Sequence, residues 1–200
     1  MLNAMLYLFA VIIVIGLPYW FVVYVLRRPK EKGAMKKLLG LSQPIKWRHL
    51  GIFSLCVVGY VTGTIIFSSL ATLLPGYNPD QEQDVGFKNL NGSLDLILAF
   101  IALVILPPIA EELVFRGYLF GKLREQSGFW VSAIITSIIF GLVHLQWNVG
   151  VDTFVLSIFL CYLREKTGSI WMSMLLHALK NGVAYFFLFI APLLGINLLQ

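Results

Sequence analysis

The stretch 107-PPIAEELVFRGYLF-120 sets two adjacent carboxylates, Glu111 and Glu112, and a guanidinium, Arg116, inside one of the longest apolar runs of a 200-residue chain. Composition makes this costly: 58% of residues are hydrophobic, 12% are charged and the mean hydropathy is +0.83. Such a chain reads as a membrane protein. A carboxylate at the centre of a membrane helix costs roughly 2.5–3.5 kcal/mol on insertion scales, so it persists where it faces a protein interior or a wet cavity. The stretch therefore requires a bundle with an inside, which a single lipid-bathed helix does not have.

Working outward from it, apolar segments near the length of a bilayer crossing fall at about 4–26, 50–74, 94–124, 129–147, 150–163 and 169–191. The fold expected is all-α, a polytopic bundle of about six transmembrane helices with no soluble domain and no internal repeat. Residues 1–93 supply two N-terminal helices and a basic loop. Residues 94–191 form the core that carries the polar groups, and the whole is one membrane domain. The first span has neither a basic n-region nor an A-x-A-like site, so it is expected to be retained and not cleaved.

Charge sets the expected orientation. The segment 27–48 holds eight basic residues against Glu31, a net of +7, whereas 75–95 holds four acids against Lys88, a net of −3. Positive loops stay cytoplasmic, which places both termini outside and Lys122, Arg124, Arg164 and Lys166 on the cytoplasmic side. Because the overall +5 charge resides in that one loop, it implies anionic lipid headgroups and no nucleic-acid partner. Cys56 and Cys161 both fall inside spans, where a thiol serves as a small packing residue.

The groups that lipid would reject are Glu111, Glu112, Arg116, His144, His177, Lys180 and Asn181, all in the second half of the chain. On a helix Glu112 and Arg116 are four apart and share a face, which pairs them and leaves Glu111 for another partner. Pro107 and Pro108 remove backbone donors and are expected to kink or restart the helix just before the pair. Phe140 and His144 share the i, i+4 relation on the fourth span, and His177 and Asn181 share it on the sixth. Measured from the turn at Ser127 and Gly128, Glu111 and His144 lie about 25 Å up their helices, and His177 and Asn181 lie about 16–23 Å above the turn near Lys166. Similar depth makes one site of them.

A Glu and a His can hold and deprotonate a water, and a second His with an Asn can donate to an oxyanion. Zinc held by Glu111, His144 and His177, with a fourth position for water, is the alternative chemistry. The metal-free form is favoured because His177 and Asn181 share a helical face and suit paired donation. No H-E-x-x-H is present. Two other classes remain open: a non-catalytic membrane immunity or scaffold protein using these groups to pair helices, and a small transporter.

Three motifs, E-E-x-x-x-R at Glu111, Glu112 and Arg116, F-x-x-x-H at Phe140 and His144, and H-x-x-x-N at His177 and Asn181, stand in that order over residues 94–190. In this the chain resembles the CAAX-protease and bacteriocin-processing (CPBP, or Abi) intramembrane proteases. The resemblance implies a membrane endopeptidase, of glutamate type or metal-dependent, acting on membrane-associated protein or peptide substrates in a prokaryotic plasma membrane. It also implies the roles: Glu111 as base on water with His144 beside it, His177 and Asn181 on the oxyanion, and Glu112 and Arg116 orienting the site.

Overall fold

The structure, a computed structural model, describes residues 32–81 and 92–196 together with Trp20, Tyr24 and Phe87. The expected first span, 4–26, lies outside the described residues except for Trp20 and Tyr24. Over the described stretches 32–81 and 92–196 six helices follow in order: α1 Lys32–Leu38, α2 His49–Ala71, α3 Ser93–Arg124, α4 Phe129–Leu142, α5 Trp147–Thr167 and α6 Trp171–Leu193. Among the described residues there is no strand, and the architecture is the polytopic helical bundle that composition requires. Helices α2, α3 and α6 are long and apolar enough to cross a membrane, and α4 is apolar over 14 residues.

Without a hydrophobic drive between helices in lipid, packing relies on small residues and interhelical hydrogen bonds. Helix α2 lies against α5 through Gly59 and Gly63: a Cβ on Gly59 would stand 2.5 Å from the Phe159 ring, and one on Gly63 2.9 Å from Val155. Helices α4 and α5 meet at Gly141, where a Cβ would stand 2.7 Å from the Gly150 carbonyl oxygen. Helix α5 is thus embraced on several sides, and its Leu156, Leu160, Cys161 and Leu163 are fully buried. Cys56, Met172 and Leu176 complete that core from α2 and α6. Ser173 Oγ donates to the Leu160 carbonyl at 2.9 Å, tying α6 to α5. Both cysteines are free and buried, the packing role expected of them. Outward faces keep large apolar residues such as Leu55, Ile65, Trp130 and Leu175 exposed, as a lipid-facing surface does.

The basic loop and the acidic loop meet opposite ends of this bundle. At one end Leu39 is buried against Leu113, Val114 and Tyr118 of α3. There Arg164 Nη2 donates to the Leu38 carbonyl at 2.8 Å, and Arg124 pairs with Glu165 at 2.9 Å. At the other end Asn148 Nδ2 donates to the Gln81 carbonyl at 2.8 Å.

Two expected boundaries are corrected. The fourth helix, expected over 129–147, closes at Leu142. His144 supplies the reason: continuing the helix would give its backbone N–H to the Phe140 carbonyl, but its own side-chain Nδ1 occupies that oxygen at 2.7 Å and its N–H turns back to Gly141. Leu145 then adopts a left-handed φ of 56° and the chain reverses. The fifth helix, expected to be short at 150–163, runs 21 residues from Trp147 to Thr167. Its Asp152, already within the expected span, finds partners on two other helices, and the helix runs on to Gly168, whose φ of 64° is the left-handed cap that glycine supplies.

Candidate active site

Helix α3 is continuous through its prolines but changes register twice, with π-type stretches at Ile101–Ile105 and Leu113–Leu119 on either side of an α-helical turn, Leu106–Glu112. π-turns of this kind recur at functional sites. Pro107 has no N–H to give the carbonyl four residues back, that of Leu103. Asn181 of α6 fills the gap, its Nδ2 donating to the Leu103 oxygen at 2.9 Å. A backbone group orphaned on one helix thereby fixes the position of a motif residue on another.

The α-helical turn ends on the two carboxylates. Glu112 and Arg116 are both fully buried and pair at 2.9 Å through Oε1 and Nη1, the i, i+4 contact expected of them. The same Glu112 oxygen lies 3.0 Å from His177 Nδ1. An ionised carboxylate only accepts, so Nδ1 carries a proton there. The other ring nitrogen, Nε2, faces Glu111 Oε2 at 3.8 Å. His177 therefore stands between the two carboxylates, bonded to the sealed one and apart from the other. Glu111 has a side chain 25% exposed against 0% for Glu112, so the carboxylate beside the free nitrogen is also the accessible one.

Phe140 is the hub on the opposite wall. The Arg116 guanidinium lies 4.2 Å over its ring, a cation–π contact worth about 2 kcal/mol when desolvated. Its edges meet His144 at 5.1 Å, His177 at 5.8 Å and Phe115 at 4.8 Å between centroids. His144 has its Nδ1 at the Phe140 carbonyl, which only accepts, so its proton is on Nδ1 and Nε2 is left with a lone pair. Glu111, Glu112, Arg116, Phe140, His144 and His177 are thus joined by direct contacts or one intermediate ring, with Asn181 one helical turn beyond His177.

Among the described residues no group of three His, Cys, Asp or Glu side chains is arranged to hold a metal ion, and the nitrogen of His177 beside Glu112 is already spent. A cavity of about 660 Å³ opens between α2, α4 and α5, lined by apolar residues including Phe67, Leu142, Leu145 and Phe154. None of the groups above lines it.

Sequence reasoning missed one polar cluster. Asp152 Oδ1 accepts from Tyr60 Oη at 2.7 Å and from Thr64 Oγ1 at 3.2 Å, and its Oδ2 lies 3.3 Å from Lys180 Nζ. Asp152 lies five residues after Trp147 and inside the span expected at 150–163, so a carboxylate within an apolar segment was the available signal.

Residues 93–183 match the sequence model of the family described as Type II CAAX prenyl endopeptidase Rce1-like. The match spans all three motifs, and the resemblance they carry is borne out over this segment. Curated relatives include the protein of Bacillus subtilis (strain 168) named "Putative membrane peptidase YdiL", 29% identical over 76% of this chain and 60% of its own length. Two from Lactococcus lactis subsp. lactis (strain IL1403) are UPF0177 protein YxdF, 29% identical over 49% of this chain and 54% of its own, and UPF0177 protein YbdI, 28% over 50% and 54%. The chain spans little more than half the length of these relatives. No solved structure matches it.

Proposed function

We propose that this chain is an intramembrane endopeptidase of a prokaryotic plasma membrane, hydrolysing peptide bonds in membrane-associated proteins or peptides of the CAAX or peptide-precursor kind, with no catalytic metal. One observation carries the reading: His177 bridges a sealed carboxylate, Glu112 at 3.0 Å, and an accessible one, Glu111 at 3.8 Å. A helix-pairing histidine has no need of the second, half-open carboxylate.

The anchors assign the roles. His144, with Nδ1–H on the Phe140 carbonyl, presents Nε2 as an acceptor and with Glu111 holds the attacking water. Glu111 takes the water's proton as the water oxygen bonds to the scissile carbonyl carbon. His177 works in this scheme as the imidazolium, giving its Nδ1–H to Glu112 and its Nε2–H to the oxyanion that forms, joined by the amide N–H of Asn181 not spent on Leu103. The intermediate collapses with cleavage of the C–N bond, and Glu111 returns the proton to the leaving amine. Glu112 and Arg116 act through His177 and Phe140 by fixing their positions.

The test compares new peptide termini in membrane fractions from cells expressing the wild type or Glu111→Gln at equal protein level. Termini present only with the wild type are expected. Identical sets of termini would leave the helix-pairing immunity or scaffold reading in its place.

A further inference from the structure

Lys180 is the one intramembrane charge on α6, and the mechanism does not use it. It lies three residues after His177 and one before Asn181, on the helix that carries both. Its partner Asp152 is over-supplied: Oδ1 already accepts from Tyr60 and Thr64, at 2.7 and 3.2 Å. The remaining oxygen meets Lys180 Nζ at 3.3 Å, longer than the 2.7–2.9 Å usual for a charge-assisted bond. Lys180 has three N–H donors, and Asp152 is the one acceptor that the described residues give it. Both side chains remain about one-fifth exposed, 22% and 21%, as Glu111 does at 25%.

A bridge made only to join helices inside a membrane would be expected to close tightly and seal, as Glu112 and Arg116 do at 2.9 Å with no exposure. The Lys180 pair does neither. Because two hydroxyls hold Asp152 without help, the ammonium can leave it at small cost, and it projects from the same helix as His177 and Asn181. A cation that is loosely held, partly open and beside a peptide-cleaving centre is suited to an anion brought in with the peptide.

Resting on the endopeptidase reading above, we propose that Lys180 is a recognition point for a carboxylate of the bound peptide, with Asp152, Tyr60 and Thr64 holding it ready between substrates. The carboxylate is either the chain terminus or an acidic side chain, and the site places it within a few residues of the scissile bond. Tyr60 and Thr64 lie on α2, outside the segment that matches the family, so the first described membrane helix takes part in substrate selection.

The experiment uses the full chain as Glu111→Gln in detergent, so that probes bind without cleavage, and measures the affinity of three N-acetylated apolar pentapeptides. One ends in a free carboxylate, one in a carboxamide, and one is a carboxamide with an internal glutamate. At least one carboxylate peptide is expected to bind about tenfold more tightly than the neutral carboxamide, the scale of a hydrogen bond to a charged group. Which of the two does so identifies the source. The preference is expected to vanish in Lys180→Met and return in Lys180→Arg. Equal affinity of all three peptides overturns the proposal without any Lys180 variant, as does a preference that survives Lys180→Met. A carboxylate preference that depends on Lys180, found together with identical termini in the cellular test, would sink the protease reading while sparing this one.

Discussion

Glu112→Gln should destabilise the protein far more than Glu111→Gln, although the two residues are neighbours of the same type. Glu112 is fully buried and its Oε1 receives both Arg116 at 2.9 Å and His177 at 3.0 Å. Two guanidinium nitrogens of Arg116, Nε and Nη2, already lack a hydrogen-bond partner. An amide at 112 keeps the shape and one acceptor but removes the charge that compensates a buried cation. Removing one partner of a buried pair costs about 3–5 kcal/mol. The cation–π contact with Phe140 persists in both states and offsets nothing new, so a loss near 3 kcal/mol is expected. Glu111 has no partner within hydrogen-bond distance, its nearest being 3.8 Å away, so its amide should cost under about 1 kcal/mol. Unfolding in mixed detergent micelles reads both. The double variant Glu112→Gln/Arg116→Met serves as control and should recover most of the loss, because apolar replacement of a buried pair is often neutral. Equal losses for the two single amides, or no recovery in the double variant, would refute the claim that Glu112 is there to hold Arg116 and His177.

Other outcomes follow from the same geometry. Asn181→Ala should lower turnover by about 10²–10³ with little change in substrate binding, the cost of one oxyanion donor, and a KM effect alone would contradict that role. Metal analysis of purified active protein should find the same near-zero content in wild type, His144→Ala and His177→Ala; stoichiometric zinc that disappears in both variants, with activity restored to stripped wild type on adding it back, would overturn the metal-free mechanism. Gly141→Ala puts a Cβ 2.7 Å from the Gly150 oxygen and should cost about 1–3 kcal/mol as overpacking, with activity falling further because the α4–α5 crossing sets His144; unchanged unfolding would show the crossing to be slack. A cysteine at Lys36 should label only from the cytoplasm and one at Asp80 only from outside, and labelling of both from one side would break the topology.

How much of this was legible depended on whether a relation was local. The Glu112–Arg116 pair could be read at once, because side chains four apart meet on any helix-like backbone, even one that continues into the π-type stretch Leu113–Leu119. Which carboxylate would meet His177 could not. A rotation of 100° per residue separates Glu111 from Glu112 and suggests one partner for each, but the π-turns rotate α3 against α6, and the imidazole reaches both carboxylates with its two nitrogens. His144 was correctly placed next to Phe140 for a reason only partly right: the spacing presumed helix, whereas the contact is made because the histidine ends it. Asp152 was passed over because its three partners lie 28 or 88 and more residues away in sequence, and local spacing says nothing of these.

The prolines show how structural and chemical demands come to rest on one residue. Read alone, Pro107 and Pro108 mark a kink, and Asn181 marks a donor in a cavity; the two observations seem independent. Losing the N–H at 107 leaves the Leu103 carbonyl without its helical partner, in a medium that offers no water to take its place. An amide is the side chain best suited to answer, since its two N–H groups let it satisfy that carbonyl and still present a second donor. A serine has one O–H and would have to choose; a lysine would bring a charge. The turn that starts at Leu106 and delivers Glu111 is thus held at its beginning by the residue proposed to donate to the oxyanion. For the same reason Asn181→Asp, which keeps size and shape but removes both donors, should disturb α3 as well as the rate, and hydrogen exchange along 101–112 should separate that effect from a loss of chemistry alone.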